Sequence, residues 1–246
     1  MKKATRLRAG LIHLSASACV AIPFGIFVFF VWYPAPLAGI VGVTGIVAML
    51  LGIDVVLGPL LTLLVYKPGK KRLMLDLGLI VALQICAFAY GAWCISVARP
   101  AWIVFTGYRF DLVQANDIDQ RFLRVTKEEY RNPPFSGPKW VAAHPPSDLQ
   151  QRNQLIMESV GGGIDMPQRP DLYAPLSGDL VRLRANAQPI SKLTEIHGVE
   201  VMRSFLARWP EANGYFPLKT RSGYGSVLVN RDGAQILAVT DLKPFP

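Results

Sequence analysis

Three long apolar runs in the first hundred residues constrain this chain more than any other feature of its sequence. They cover about Leu11–Trp32, Leu37–Val65 and Leu75–Ala98. A helix of roughly 20 residues crosses the hydrocarbon core of a bilayer, so each run is long enough to span it. Backbone groups in lipid need hydrogen-bond partners inside their own segment, and helices provide them. The pattern predicts a membrane domain over residues 1–98 with three transmembrane helices, and a second domain over residues 99–246.

Positive charge lies beside these runs and predicts their orientation. One basic cluster, Lys2, Lys3, Arg6 and Arg8, precedes the first run, and another spans Lys67–Arg72 between the second and the third. Basic residues favour the cytoplasmic side, so we expect both clusters in the cytoplasm and the chain after Arg99 on the opposite side. The second domain holds 18 basic and 15 acidic residues of the chain's 26 and 17. The net charge of +9 is therefore mainly a topology signal and does not favour nucleic-acid binding.

A cleaved signal peptide is the alternative interpretation of the first run. Lys2 and Lys3 suit its charged region, and Ala16-Ser17-Ala18-Cys19 is similar to a lipoprotein cleavage site. The apolar run continues to Trp32, however, which favours a retained transmembrane helix.

All three cysteines, Cys19, Cys86 and Cys94, fall in predicted spans, so we expect no disulfide framework in the second domain.

Asp54 is the most informative residue of the predicted spans. It precedes Lys67 by 13 residues, roughly 20 Å along a helix, and an acid at that depth costs about 2.5–3.5 kcal/mol. Gln84 lies at a similar depth on the third span, so we predict a hydrogen bond between them. A charged group on a partner helix and a proton relay are the alternatives. We expect no other ionisable group at that depth, which favours a helix–helix contact.

The surrounding motif carries a family resemblance. The run Gly52-Ile-Asp54-Val-Val-Leu-Gly58-Pro59-Leu-Leu-Thr62, followed by a basic loop, a third span and an exported domain, resembles the type IV pilin accessory protein family. The resemblance implies a non-enzymatic, chaperone-like protein of the bacterial inner membrane. It also implies that Asp54, Gly58, Pro59 and Thr62, with Gln84 beside them, bind a partner or pack helices.

The resemblance implies particular partners. A type IV pilin is expected to wait in the membrane with an apolar helix, which usually bears an acid, and a globular head outside. A factor that supports its stability, its assembly or the balance of extension and retraction needs membrane helices for the stalk and an outer domain for the head. The pilus assembly machinery is a further expected partner beside the lipid bilayer. The oligomeric state stays open.

The second domain has the pattern of an α+β fold with a small, mostly antiparallel sheet and two or three helices. Aromatic and β-branched segments predict strands. They are residues 102–105, 108–113, 139–143, 215–218, 227–230 and 235–240, the last two forming a hairpin around Asp232-Gly233. Helices are expected over Asp148–Val160, with Ser147 as the N-cap, and over Ser191–Arg208.

No catalytic or metal-binding pattern stands out in this domain. His144 and His197 lack metal-ligand spacing, and there is no phosphate loop or nucleophile elbow. Glu128 and Glu129 are expected to be solvated. We therefore expect no enzyme, no cofactor and no metal. A membrane-anchored ligand sensor or transport-complex subunit is the alternative function, and an envelope enzyme without a recognisable motif is a third.

Overall fold

The computed structural model describes residues 5–245, so Lys2 and Lys3 lie outside the described residues. The chain divides into two compact units. The first contains the chain up to Pro34 together with Gly42–Val97, and the second contains Ala35–Val41 and the chain from Ala98 onward. The second unit thus includes a short segment that precedes most of the second apolar run.

Three helices long and apolar enough to cross a membrane form the first unit. Span 1 covers Arg6–Trp32, span 2 covers Val43–Val65 and span 3 covers Leu73–Val97. Span 1 ends in a π-helical turn at Val28–Trp32, and span 2 contains another at Ile53–Leu57. Many of the large apolar side chains on these helices are exposed, as expected for helices surrounded by lipid.

Span 2 packs against both other spans through close contacts at glycine. Gly10 of span 1 faces Leu63, and Gly91 of span 3 faces Leu50. A Cβ atom at Gly10 or at Gly91 would lie 2.6 Å from the facing leucine. Small residues at these positions let the backbones approach, which is a common source of attraction between helices in lipid.

Span 2 begins at Val43 because Gly42 adopts a φ of +79°, a left-handed conformation that interrupts the helix. The preceding residues Leu37–Val41 form a separate short helix, α1. The second apolar run of the sequence therefore supplies both a membrane span and a piece of the second unit.

The second unit is built on one eight-stranded sheet with the order β4-β3-β1-β2-β6-β7-β8, and β5 pairs with β6. The strands are β1 (Pro100–Phe105), β2 (Phe110–Gln114), β3 (Lys139–Ala143), β4 (Tyr173–Ala174), β5 (Gln188–Pro189), β6 (Gly214–Lys219), β7 (Tyr224–Asn230) and β8 (Gln235–Thr240). The predicted strands are confirmed. The predicted small, mostly antiparallel sheet is wrong, because β3 pairs parallel to β1 and β6 pairs parallel to β2. Both parallel neighbours arrive through long crossover connections, which local sequence patterns do not reveal.

Besides short 3₁₀ turns, the described residues of this unit form five more α-helices: α2 (Glu128–Arg131), α3 (Leu149–Val160), α4 (Leu180–Asn186), α5 (Ser191–His197) and α6 (Val199–Arg208). The N-cap of α3 is Asp148, whose side chain accepts from the Gln151 N–H at 2.9 Å, and not Ser147. The helix predicted over Ser191–Arg208 is two helices, because Gly198 has a φ of +83°. The hairpin at Asp232-Gly233 is confirmed.

Helix α1 contributes to the main core of the second unit. Leu37 is 3% exposed and packs in a cluster with Phe105, Phe110 and Phe216. Ile40 packs against the same cluster. The core of this unit is therefore incomplete without residues that precede span 2 in the chain.

We predict that Leu37→Ala lowers the free energy of unfolding of the second unit by about 2–5 kcal/mol, the usual result of leaving a cavity in a core. Proteolysis of the purified full-length protein at rising temperature measures this loss. Leu149→Ala is the matched control, because Leu149 is 67% exposed, and it is expected to change stability by less than about 0.5 kcal/mol. Equal effects of the two substitutions would show that α1 is not part of the core.

Candidate functional site

A groove of about 770 Å³ lies between spans 1 and 3, with residues of span 2 between its walls. Its walls are mostly apolar and include the small side chains Ala9 and Ala16 of span 1 and Ala89 of span 3. Six polar side chains also line it: His13, Ser17, Asp54, Thr62, Tyr66 and Gln84. At one end Phe88 meets Phe24 edge to face, with ring centroids 5.0 Å apart. The groove is thus an apolar slot with polar groups along its length.

The backbone around Asp54 explains why this polar cluster exists. Asp54 lies in the π-helical turn of span 2, where each carbonyl normally accepts from the N–H five residues later. For Asp54 that residue is Pro59, which has no N–H. The Asp54 carbonyl therefore needs a donor from outside its own helix, because an unsatisfied backbone group in lipid costs several kcal/mol.

Gln84 of span 3 supplies that donor. Its Nε2 donates to the Asp54 carbonyl at 3.0 Å and lies 3.5 Å from the Asp54 carboxylate oxygen Oδ1. Gly58 is where the Gln84 side chain crosses span 2, since a Cβ atom there would overlap the amide. Pro59 is buried beside it. The side chain predicted to meet Asp54 thus bonds mainly to its backbone.

His13 is a polar residue of this groove that sequence reasoning missed. Its Nδ1 lies 2.5 Å from Thr62 Oγ1, so spans 1 and 2 are joined by this pair. His13 sits within span 1, but its partner Thr62 lies eight residues beyond Asp54 in span 2, roughly 12 Å nearer the end of that helix. A histidine in an apolar run was the available signal, but its partner lies 49 positions away. The predicted residues Asp54, Thr62 and Gln84 line one groove, and Gly58 and Pro59 are buried in span 2 next to them.

The second unit contains a smaller, polar cavity of about 330 Å³. It lies where β2 and β6 pair only at Phe110–Leu218 and Asp111–Lys219 and then separate. Asp165 and Arg221 also line it. Arg109 donates to both carboxylate oxygens of Asp111, at 3.1 and 2.9 Å. Carboxylates and cations alternate here, so the cavity has no single charge preference.

The two histidines of the second unit make ordinary structural contacts. His144 Nε2 lies 2.6 Å from Asp179 Oδ2, and Asp179 also pairs with Arg182 at 2.9 Å. His197 Nε2 lies 2.8 Å from the Lys243 carbonyl. Over residues 5–245, no group of three or more His, Cys, Asp or Glu side chains is placed to hold a metal ion. Glu128 and Glu129 are exposed, as predicted.

Known proteins resemble this chain along most of its length. Two fimbrial assembly proteins of Dichelobacter nodosus, those of serogroups I and E1, are each 33% identical over 183 residues, which is 74% of this chain and 71% of theirs. The fimbrial assembly protein of serogroups C1 and C2 is 38% identical over 109 residues, 44% of this chain and 83% of that protein. This chain belongs to the fimbrial assembly protein family.

The family model that matches is described as Fimbrial assembly protein FimB and covers residues 2–42, which include span 1 and α1. No solved structure matches the chain. Family membership confirms the resemblance drawn from the Asp54–Thr62 motif, and it supports a role in pilus assembly with interactions among pilus components.

For this fimbrial assembly protein we predict that Gly58→Ala is destabilising by about 1–3 kcal/mol, because the added methyl group overpacks the Gln84 contact. Loss of helix signal on titration of the detergent-solubilised protein with a denaturing detergent measures it. Gly45→Ala is the control, since nothing lies within 4 Å of a Cβ atom there. In a Gln84→Ala background the Gly58→Ala substitution is expected to have little further effect, and a full additive loss would contradict this explanation.

Two aspartates should give the stability of the second unit opposite pH dependences. Burial raises the pKa of Asp111 above its ordinary 3.8 in spite of the bonds from Arg109. Burial also acts on Asp119, but hydrogen bonds from the Arg121 side chain and N–H outweigh it and lower the pKa of Asp119. A raised native pKa means that stability is lost as the pH rises through it, whereas a lowered one means that stability is lost as the pH falls.

Thermal unfolding of the full-length protein between about pH 3 and pH 7 tests this pair. Relative to wild type, Asp111→Asn should become more stable as the pH rises. Asp119→Asn should show the reverse, with its largest loss near neutral pH. Parallel pH profiles for the two variants would contradict the assignment.

Proposed function

We propose that this protein is an inner-membrane accessory factor that binds a type IV pilin and supports its assembly into the pilus. In this proposal the N-terminus and the Lys67–Arg72 loop lie in the cytoplasm, and the second unit lies in the periplasm. The basic residues at these two places support that orientation, because positive charge is retained on the cytoplasmic side.

The groove between spans 1 and 3 is the observation that carries the proposal. A pilin waiting for assembly is expected to present one apolar helix in the membrane, and a factor that recognises it needs a helix-binding surface at that depth. The walls of the groove combine small side chains such as Ala16 and Ala89 with larger apolar ones. Small residues allow a further helix to approach closely, and polar residues add hydrogen bonds between helices.

The second unit supports the same proposal from the other side of the membrane. It is a folded domain with its own core, joined directly to span 3 through Ala98 and Arg99. In the proposed orientation it shares the compartment with the pilin head. A factor with both parts can hold a membrane-inserted subunit by its stalk and its head together.

A bulky side chain in the groove should block pilus assembly. We predict that Ala89→Trp, expressed in a strain that lacks the gene, restores at most about a tenth of the surface pili, because the indole fills space that the pilin helix needs. Electron microscopy and shearing of surface pili measure this, and immunoblots report total pilin.

Ala87→Trp is the matched control, because Ala87 is exposed on the same span and does not line the groove. It should restore pili fully. The proposal is contradicted if both variants restore pili at wild-type protein levels, or if a strain without the gene keeps both its pili and its pilin.

A further inference from the structure

We propose that the groove recognises a pilin helix through a hydrogen-bond donor that this helix presents at the level of Asp54 and Gln84. The donor is a hydroxyl, amide or amino group on a side chain facing the groove. The inference rests on the proposed function, since it names the chemistry by which the same groove selects its partner.

The first observation is an acceptor without a partner. Gln84 Oε1 is buried, and no hydrogen-bond donor reaches it in residues 5–245. The orientation of the amide is set by its other end, because Nε2 donates to the Asp54 carbonyl. Rotating the amide by half a turn would place Gln84 Oε1 against the Asp54 carbonyl oxygen, and two acceptors cannot bond to each other. Oε1 therefore stays an acceptor.

The second observation is the Asp54 carboxylate beside it. Asp54 is 7% exposed, and its carboxylate contact with Gln84 Nε2 is 3.5 Å long, at the limit of a hydrogen bond. That Nε2 group already serves the Asp54 carbonyl at 3.0 Å. The Asp54 carboxylate on span 2 and Gln84 Oε1 on span 3 are thus two acceptors, and the donor beside them, Gln84 Nε2, is directed to the Asp54 carbonyl and, at 3.5 Å, to the Asp54 carboxylate.

The hydrogen-bonded pair of His13 and Thr62, which also lines the groove, does not need a donor from a partner. His13 Nδ1 and Thr62 Oγ1 satisfy each other at 2.5 Å. Among the described residues that line the groove, Gln84 Oε1 is the buried side-chain polar atom that lacks a partner. In hydrocarbon the need of such an atom for a donor is strong, because no water is present to meet it.

These features select among possible occupants. A lipid chain fills the volume of the groove but offers no donor. A helix that places a carboxylate against Asp54 brings together two groups that repel each other when ionised. A helix with a donor at this level bonds to the Asp54 carboxylate and, once the Gln84 side chain shifts from its buried position over Gly58, to Gln84 Oε1 as well. The pilin residue in contact is therefore expected to carry a hydroxyl, amide or basic group.

The test uses a photo-crosslinking amino acid in place of Ile85, which lines the groove, in the full-length protein in cells that make the pilin. The yield of crosslinked pilin is compared among Gln84→Met, Asp54→Asn and the parent. Gln84→Met removes the acceptor together with the bond to the Asp54 carbonyl, whereas Asp54→Asn leaves that bond in place and exchanges one acceptor oxygen for a donor. Each should lower the yield about threefold or more, the size of effect typical of hydrogen bonds between membrane helices.

Leu83→Met is the control, because Leu83 is 63% exposed and does not line the groove. It should keep the parental yield. Each polar residue of the pilin helix is then changed to leucine. One of them, a donor, should lower the yield in the parent but not in the Gln84→Met background, since both changes remove the same bond.

The outcomes distinguish a failure of the proposed function from a failure of the donor requirement. No pilin crosslink from position 85 in the parent, or a crosslink to a second copy of this chain alone, would overturn the proposed function. A parental pilin crosslink that Gln84→Met and Asp54→Asn leave unchanged would overturn only the donor inference. The donor inference would also be overturned if the pilin residue whose substitution lowers the yield only in the parent is an aspartate or a glutamate.

Discussion

The membrane unit depends on one backbone carbonyl, that of Asp54, which the chain leaves without a donor in its own helix. Pro59 removes the N–H that the π-helical turn would use. In lipid this carbonyl must find another donor, and Gln84 of span 3 is the residue that reaches it. Gly58 has no side chain, and the Gln84 amide occupies the space that a Cβ atom there would fill. One hydrogen bond thus fixes the register of span 3 against span 2.

The need of this carbonyl for a donor explains why Asp54, Gly58 and Pro59 occur together. Pro59 leaves the Asp54 carbonyl without a donor in its own helix, and Gly58 leaves space for the Gln84 side chain that supplies one. Asp54 places its carboxylate next to that side chain. The Gln84 amide donates to the backbone through Nε2, and its acceptor Oε1 is left without a partner among residues 5–245. A structural hydrogen bond and a candidate recognition feature therefore arise from one side chain, and a substitution at Gln84 affects both.

The second unit depends on a different long-range element. Helix α1 precedes span 2 in sequence, yet Leu37 packs among the aromatic residues of the second unit. Gly42 makes this possible, since its left-handed backbone separates α1 from span 2. A stretch that is apolar throughout is therefore divided between lipid and a protein core. Hydropathy alone does not distinguish these two environments, because both exclude water.

Much of this protein was determined by the sequence itself. The lengths of the apolar runs require helices that can span a membrane, and counting residues from the basic loop brings Asp54 and Gln84 to one depth. Aromatic and β-branched segments mark the strands from Pro100 onward, and Asp232-Gly233 marks a hairpin. These features depend on neighbours within a few residues, so local chemistry is sufficient to predict them.

The tertiary structure alone decided the rest. The parallel partners of β1 and β2, the place of Leu37 in a core and the His13–Thr62 pair all join residues far apart in the chain. Such contacts arise when distant segments compete for the same buried space. Their energies depend on which partners finally meet, and that information is spread over the whole chain.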